Sequence, residues 1–553
     1  MSQKRSSVPV SKEADARARA LVAQAMESHR AGNLAQAESS YRAALEESPQ
    51  HFDALHMLGV IAYQVGLLND SYKMFEQALK QQPDRLSLLI NYGAALRKGS
   101  RYNDAIQIYD RALKIDPRSY DAMFNKAQCL YFQQKFAEAE PLFRAYVQAR
   151  PDDAQGALGL GNALRDSGQW REAMTYYERA ITLDPKLPMP YMAMALVFRQ
   201  QEWWSNAVAL FDKALELNPR DAVVRSHRAV VLLKMGRLAE GWENYDGRFW
   251  NADEHVFRRP VPPVYWAGED IKGKAVIVWS EQGVGDETLY GGMIEDLLAR
   301  GARVVLECSP RMAPVFARSF PAVKVVPVEI NRAAVTPAEG LDYQIGIGSM
   351  GRYLRPDFES FPKRPSYLKA DAAKTAALKA RYGQGPLIGL SWASKAERIG
   401  AQKSTGLLDW APLLQTPGVR FVNLQYGDYA AEIAEVKQKL GVDIISDPEV
   451  NPLADMDAFF AQTAAMDAVV TISNTTAHVA GALGIPTWVL LPRGGDRVPW
   501  YWFLAREDSP WYPSVRLLRE AREPTADNAV WAAGPIKRAA DMLAAWLRGR
   551  GHD

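Results

Sequence analysis

Three short stretches of the chain gather side chains able to bind an anion or to move a proton. In EQGVGDE, Gly283 and Gly285 occupy a strand-to-helix turn, where absent side chains let backbone approach a ligand and a helix N-terminus favours an anion. Asp286 follows at once, flanked by Glu281 and Glu287. A carboxylate at that point is also a natural cap for a helix beginning near Glu287. In LSWASKAERIGAQKS, Lys395, Arg398 and Lys403 stand with Ser404 in one loop after a strand, a set that suits a phosphate; a solvated basic loop is the plainer alternative. In ISNTTAHVAGALG, Ser473, Asn474, Thr475 and Thr476 fill a second strand-to-helix turn, with His478 in the first turn of the helix. Hydroxyls, an amide and free backbone N–H groups there make a phosphate or ribose cradle, or simply helix caps beside a core histidine. Gln425 ends the run FVNLQ, where it either meets a nucleotide base or supports the loop. The aromatics Trp500, Tyr501, Trp502, Trp511 and Tyr512 fit hydrophobic packing better than sugar stacking.

These groups need several domains to position them. The chain of 553 residues is 48% hydrophobic and 24% charged, a globular composition too long for one core. Its net charge of +2, from 66 basic and 64 acidic residues, gives no overall field favouring nucleic acid or an anionic membrane. No apolar run approaches the roughly 20 residues of a membrane span, so no membrane insertion is expected and a cytoplasmic location is. Two cysteines, Cys129 and Cys308, exclude a disulfide framework, and neither they nor the seven scattered histidines suggest a metal site.

The first half is repetitive. Pro49, Pro83, Pro117, Pro151, Pro185 and Pro219 recur every 34 residues, each closing a helical pattern. The aromatics Tyr41, Phe75, Tyr109, Phe143, Tyr177 and Phe211 keep the same register, as do the small residues Gly59, Gly93, Ala127, Gly161, Ala195 and Ala229. Gly32, Gly66, Gly168 and Gly236 mark turns between helices. The pattern resembles the tetratricopeptide repeat (TPR), six full units and a seventh over residues 18–250, an α-solenoid whose concave groove implies a protein partner. Asn91 and Asn125, one repeat apart, resemble part of the acceptor-binding asparagine ladder of the O-GlcNAc transferase groove. Met57, Gly159 and Ala193 stand at the neighbouring positions, so the ladder is not reproduced.

Residues 1–17 read as a flexible tail, and after residue 250 the proline-rich stretch 251–272 reads as a linker. Apolar runs then alternate with helical segments in two series, residues 273–368 and 386–520, joined by a charged connector at 369–385 and followed by a helical segment at 521–553. Two Rossmann-like α/β domains in tandem are expected, the first on the acceptor side and the second on the nucleotide side. In order and spacing, EQGVGDE, LSWASKAERIGAQKS, FVNLQYGD and ISNTTAHVAGALGIPTWVLLP resemble bacterial TPR-linked GT-B glycosyltransferases related to heptosyltransferases, and the chain is similar to TPR-bearing flagellin glycosyltransferases.

The resemblance implies a metal-independent, inverting transfer without a cofactor. A nucleotide sugar, favoured as a CMP-linked nonulosonic acid, would be the donor and Ser or Thr of a protein, flagellin favoured, the acceptor. By the same resemblance Asp286 is the general base, with Glu281 and Glu287 in reserve. Gly283, Gly285, Lys395, Arg398, Lys403, Ser404, Gln425, Ser473, Asn474, Thr475, Thr476 and His478 would bind the donor. Lys403 stands where that family usually has Arg, and Ser473 and Asn474 stand where many relatives have Asp-Thr, which favours a donor carrying its own carboxylate. An envelope-polysaccharide transferase tethered by its repeats, and a non-catalytic scaffold, are the alternatives.

Overall fold

A computed structural model describes residues 11–250, 259, 263–329, 339–395, 400–494, 497–521 and 531–550. The chain divides into two compact units, Met1–Met194 and Ala195–Asp553. The first is a helical solenoid. Lys12–Arg30 pairs with Leu34–Glu47, Phe52–Gln64 with Leu68–Gln81, Leu86–Lys98 with Tyr102–Ile115, Tyr120–Phe132 with Phe136–Ala149, and Ala154–Asp166 with Trp170–Leu183.

The 34-residue register has a steric origin. A Cβ added to Gly59 would lie 2.7 Å from the Phe75 ring, one on Gly93 2.5 Å from Tyr109, and one on Gly161 2.6 Å from Tyr177. Each small residue therefore makes room for the aromatic of the following helix, which is wholly buried. Asn91 and Asn125 are engaged within the solenoid. Asn91 Nδ2 lies 3.0 Å from His56 Nε2, and Asn125 Nδ2 donates to Asp121 O at 2.8 Å in its own helix.

The second unit carries two parallel sheets. Strands β1 (Val264–Tyr265), β2 (Ala275–Trp279), β3 (Arg303–Cys308), β4 (Lys324–Pro327) and β5 (Tyr343–Gly346) run in the order β1-β5-β2-β3-β4. Strands β6 (Leu387–Ser391), β7 (Arg420–Asn423), β8 (Ile444–Ile445), β9 (Ala468–Ile472), β10 (Thr487–Leu491) and β11 (Val515–Arg519) run β11-β10-β9-β6-β7-β8. β2, β6, β9 and β10 are buried at every residue, as in a parallel sheet covered on both faces. In each sheet the order reverses beside the first central strand, between β2 and β5 and between β6 and β9, and the crevice at the carboxyl ends there is where α/β folds bind ligands.

The unit boundary differs from the one expected at 251–272. The seventh repeat, Ala222–Lys234 and Leu238–Tyr245, belongs to the second unit, where Leu233, Leu238, Trp242 and Tyr245 share one core with Val276, Val278 and Ile345. Trp242 Nε1 donates to Arg355 O at 2.8 Å, and the buried Lys234 Nζ donates to Val498 O at 2.6 Å. The connector also differs from a bare link: Ala372–Tyr382 is a packed helix whose Tyr382 hydroxyl donates to Asp447 at 2.9 Å. At the C-terminus, helix Ala533–Arg548 lays Ile536, Ala539 and Leu543 on the second sheet's core. Each unit holds one fully buried cysteine, Cys129 or Cys308, and burial raises both thiols. Among the described residues no helix is long and apolar enough to cross a membrane.

A chain beginning at residue 251 therefore lacks Trp242 and Tyr245, and losing one such buried aromatic costs about 3–5 kcal/mol. Calorimetry should find the fragment from Ala195 melting near the corresponding transition of the full chain. The fragment from 251 should melt far lower or not cooperatively; equal melting of the two would reject the shared core.

Candidate functional site

The turn after β2 is built around Gly283, which is the N-cap of helix Val284–Gly291 and contributes no side-chain cap. Asp286 thus sits inside the first turn, and the reading of it as the cap is not met. The two flanking glutamates are fully engaged. Glu281 is 2% exposed and takes a bidentate ion pair from Arg248, Nε to Oε2 at 2.6 Å and Nη2 to Oε1 at 2.8 Å, with Gly348 N donating to Oε1 at 2.9 Å. Glu287, fully buried, accepts from Ser309 N and Ser309 Oγ, both at 2.6 Å. Neither is available as a base. Asp286 alone remains partly open, and burial, reinforced by the charges of Glu281 and Glu287 and opposed by Arg248, pushes its carboxyl up to about 7.

Across the crevice stands the turn after β9. A Cβ on Gly285 would lie 3.5 Å from His478 Cδ2 and 3.8 Å from Thr475 Oγ1, so the two turns face each other closely, whereas the space beside Gly283 is open. Asn474 is the N-cap of helix Thr475–Ala482: its Oδ1 accepts from Thr476 N at 3.0 Å, and its Nδ2 donates to Ser391 Oγ at 2.7 Å and Ala393 O at 3.3 Å. Ser473 Oγ accepts from Trp502 Nε1 at 2.8 Å. His478 is 3% exposed, with Nδ1 2.9 Å from the Tyr512 hydroxyl, Nε2 3.2 Å from the Tyr501 hydroxyl, and Trp502 stacked on it at 5.4 Å. Burial, aided by Lys403, pushes this imidazole down to about 3, so it stays neutral at physiological pH. Thr475 is the half-exposed member of the turn.

The loop after β6 sorts in the same way. Gln425 Oε1 accepts from Ser391 Oγ, Trp392 N and Ala393 N at 3.0, 3.0 and 2.8 Å, and Nε2 donates to Tyr426 O at 3.0 Å. Of its two readings, these bonds support the one in which it holds this loop. Ser404 Oγ accepts from Ser394 N at 2.9 Å and donates to Gly400 O at 2.7 Å. Lys395 is exposed, and Arg398 lies outside the described residues. Lys403 differs from all of these. It is 7% exposed, burial pushes its ammonium down to about 8 while Asp286 counters, and no described group makes a hydrogen bond or ion pair with it.

Between the two turns lies a cavity of about 220 Å³, lined by Val284 and Arg311 from the first α/β half and by Tyr426, Leu453, Phe459, Thr475 and Thr476 from the second. Sequence reasoning missed Arg311, which donates to Leu453 O at 3.1 Å, and Arg248, which looks like the tail of a repeat. Neither lies in a motif that would single it out.

Tetratricopeptide-repeat families match residues 28–91, 62–122, 93–154 and 124–188. The N-terminal unit is a TPR solenoid. Protein FlbA of Caulobacter vibrioides is 39% identical over 315 residues, 54% of this chain and 52% of that protein, so the chain spans about half the length of the curated relative it matches. A tetratricopeptide repeat protein from Parabacteroides merdae is matched at 18% identity and a TM-score of 0.38, over 41% of this chain and 91% of the other. Pseudomonas aeruginosa PilF is matched at 20% and 0.35, over 39% and 99%.

The Asp286 carboxyl, held at about 7 in the fold against an ordinary 3.8, binds its proton more tightly in the native than in the unfolded chain. Stability tied to it is present at low pH and is lost as pH rises from about 4 through about 7. Asp286→Asn should accordingly raise the melting temperature at pH 8 and leave it unchanged near pH 4; parallel melting-versus-pH curves would reject the shift.

Proposed function

We propose that this chain is a protein O-glycosyltransferase of GT-B type, inverting and metal-independent, that moves a sugar from a nucleotide donor to a Ser or Thr hydroxyl. The observation that carries the reading is that Asp286, the one unengaged carboxylate of its turn, acts electrostatically on Lys403, a buried ammonium with no hydrogen-bond or ion-pair partner among the described residues, where the turns after β2 and β9 face each other. A buried cation without a partner is costly, and an incoming anion removes that cost.

In the reaction, Asp286 takes the proton from the acceptor hydroxyl as its oxygen attacks the anomeric carbon. The bond from that carbon to the nucleotide phosphate breaks on the opposite face, and the electron pair leaves with the phosphate. Lys403 and the N–H groups at the start of helix Thr475–Ala482 meet the developing charge. Gly283 leaves room for the approach, since nothing lies within 4 Å of its absent side chain. Ser473, Asn474, Ser404, Gln425 and His478 hold the walls, because their polar atoms are engaged with protein. The repeats capture the protein acceptor through the groove as a whole. A CMP-linked nonulosonic acid is the favoured donor and flagellin the favoured acceptor, both from the motif resemblance.

Titration of the full chain with CMP, UDP, GDP and ADP tests this, since a ligand at 100 times its Kd adds about 2.7 kcal/mol to stability. One nucleotide should stabilise the second unit; stabilisation by none would overturn the reading. Lys403→Gln should weaken nucleotide binding and transfer together by about 1–3 kcal/mol, whereas Asp286→Asn should abolish transfer at nearly unchanged affinity. With a base at about 7 and a lysine at about 8, kcat/KM should trace a bell, rising as Asp286 loses its proton and falling as Lys403 does. A flat profile across pH 6 to 9 would remove both residues from the chemistry.

A further inference from the structure

The turn between the two helices of each repeat passes through one left-handed residue, spaced at 34: Gly32, Gly66, Ser100, Gln134, Gly168, Glu202 and Gly236, with φ from +58° to +85°. Glycine adopts this conformation freely and a glutamate does not. Glu202 holds φ +61° with its carboxylate clamped in the second unit. Its Oε2 accepts from Arg493 Nη2 at 2.6 Å and its Oε1 from Gly494 N at 2.8 Å, just beyond β10. These bonds keep its acidity strong in spite of burial.

Farther along the chain, residues 497–503 form a strap held at several points of its own. Lys234 Nζ, from the next repeat, donates to Val498 O at 2.6 Å, and Trp242 meets the Trp500 ring edge-on at 5.3 Å. From β11, Arg519 Nη2 donates to the carbonyls of Trp502 and Phe503 at 2.6 and 2.8 Å. Phe503 is itself left-handed, at φ +52°. Phe503 thus ends the strap as a strained non-glycine residue, and such strain persists only where its surroundings impose it. The strap delivers Tyr501 to His478 and Trp502 to both His478 and Ser473.

We propose that Glu202 is a positioning residue. By fixing Arg493 and Gly494 it sets where Tyr501 and Trp502 rest on His478 and Ser473, and so holds the Ser473–Thr476 turn in shape for an anionic ligand. That the ligand is a nucleotide rests on the proposed function; the mechanical link from Glu202 to the turn does not.

Hydrogen–deuterium exchange on the full chain tests the link directly. Glu202→Gly relaxes the backbone while removing the clamp, so the chain should melt within a few degrees of wild type. Peptides covering Val498–Phe503 and Thr475–Ala482 should nevertheless exchange about tenfold faster, with β2 and β3 unchanged. Glu202→Gln, which keeps an acceptor for Gly494 but loses the charge, should give an intermediate rise; Arg493→Met should act like Glu202→Gly and serves if the glycine variant folds poorly. The affinity for CMP should fall several-fold in Glu202→Gly. Lys403→Gln should weaken CMP binding without loosening the strap. Unchanged exchange in both segments overturns the inference, as does a loosened strap with a rigid Thr475–Ala482 and wild-type CMP affinity. Faster exchange in both segments, in a protein that binds no nucleotide even as wild type, supports the link and overturns the proposed function instead.

Discussion

The ion pair between Arg248 and Glu281 is the constraint on which the second unit turns. Its side chains are 3% and 2% exposed, and Arg248 is flanked by the rings of Tyr245 and Phe249 at 4.1 and 4.2 Å. Arg248 also donates to Ser349 Oγ at 2.7 Å, and Ser349 to Asp246 at 2.5 Å. One guanidinium therefore links the end of the last repeat to the loop after β2 and the loop after β5, the two strands that bracket the first crevice. Glycine is required on the far side: a Cβ on Gly346 would lie 2.7 Å from Glu281 Oε1. Breaking such a pair from one side leaves a buried charge, a loss of about 3–5 kcal/mol. The same pair removes Glu281 from proton chemistry and leaves its charge beside Asp286.

Polar groups around the crevice fall into two sets on this frame. Asn474 is held as an amide by its surroundings: its Nδ2 donates to a hydroxyl and a carbonyl, which a carboxylate in its place has no N–H to satisfy. Gln425 gathers three donors on one oxygen in the same way. Because these atoms are satisfied internally, Asp286, Lys403 and Thr475 stand out at the crevice among the described residues as polar side chains without a hydrogen-bond partner.

Much of the fold is legible in the sequence because its causes are local. The repeat period follows from glycine–aromatic contacts within each hairpin, and KAVIVWS, ARVVLEC, PLIGLSW and DAVVTIS are the strands β2, β3, β6 and β9. Three strands are not legible in this way: β11 reads Val-Arg-Leu-Leu-Arg, an apolar run broken by arginines. β1 has two residues, and β5 reads Tyr-Gln-Ile-Gly, its place fixed by long-range pairing with β1 and β2 on either side. The unit boundary was hidden because Trp242 and Tyr245 are ordinary repeat aromatics until a sheet is packed against them. At the site, residue types were readable but their engagement was not. The partner of Asn474 lies 83 residues away and that of Glu281 lies 33 away.

The two thiols give this architecture an internal clock. Cys129 lies at 0% exposure within the solenoid and Cys308 at 1% exposure at the end of β3, one in each unit. With both thiols buried and their acidity suppressed, an alkylating reagent meets the native surface as though those sulfurs were missing. Modification at either position requires that unit to open, and peptide mapping separates the two. The rate at Cys129 relative to Cys308 then reports whether solenoid and sheets open independently or together, with no label introduced.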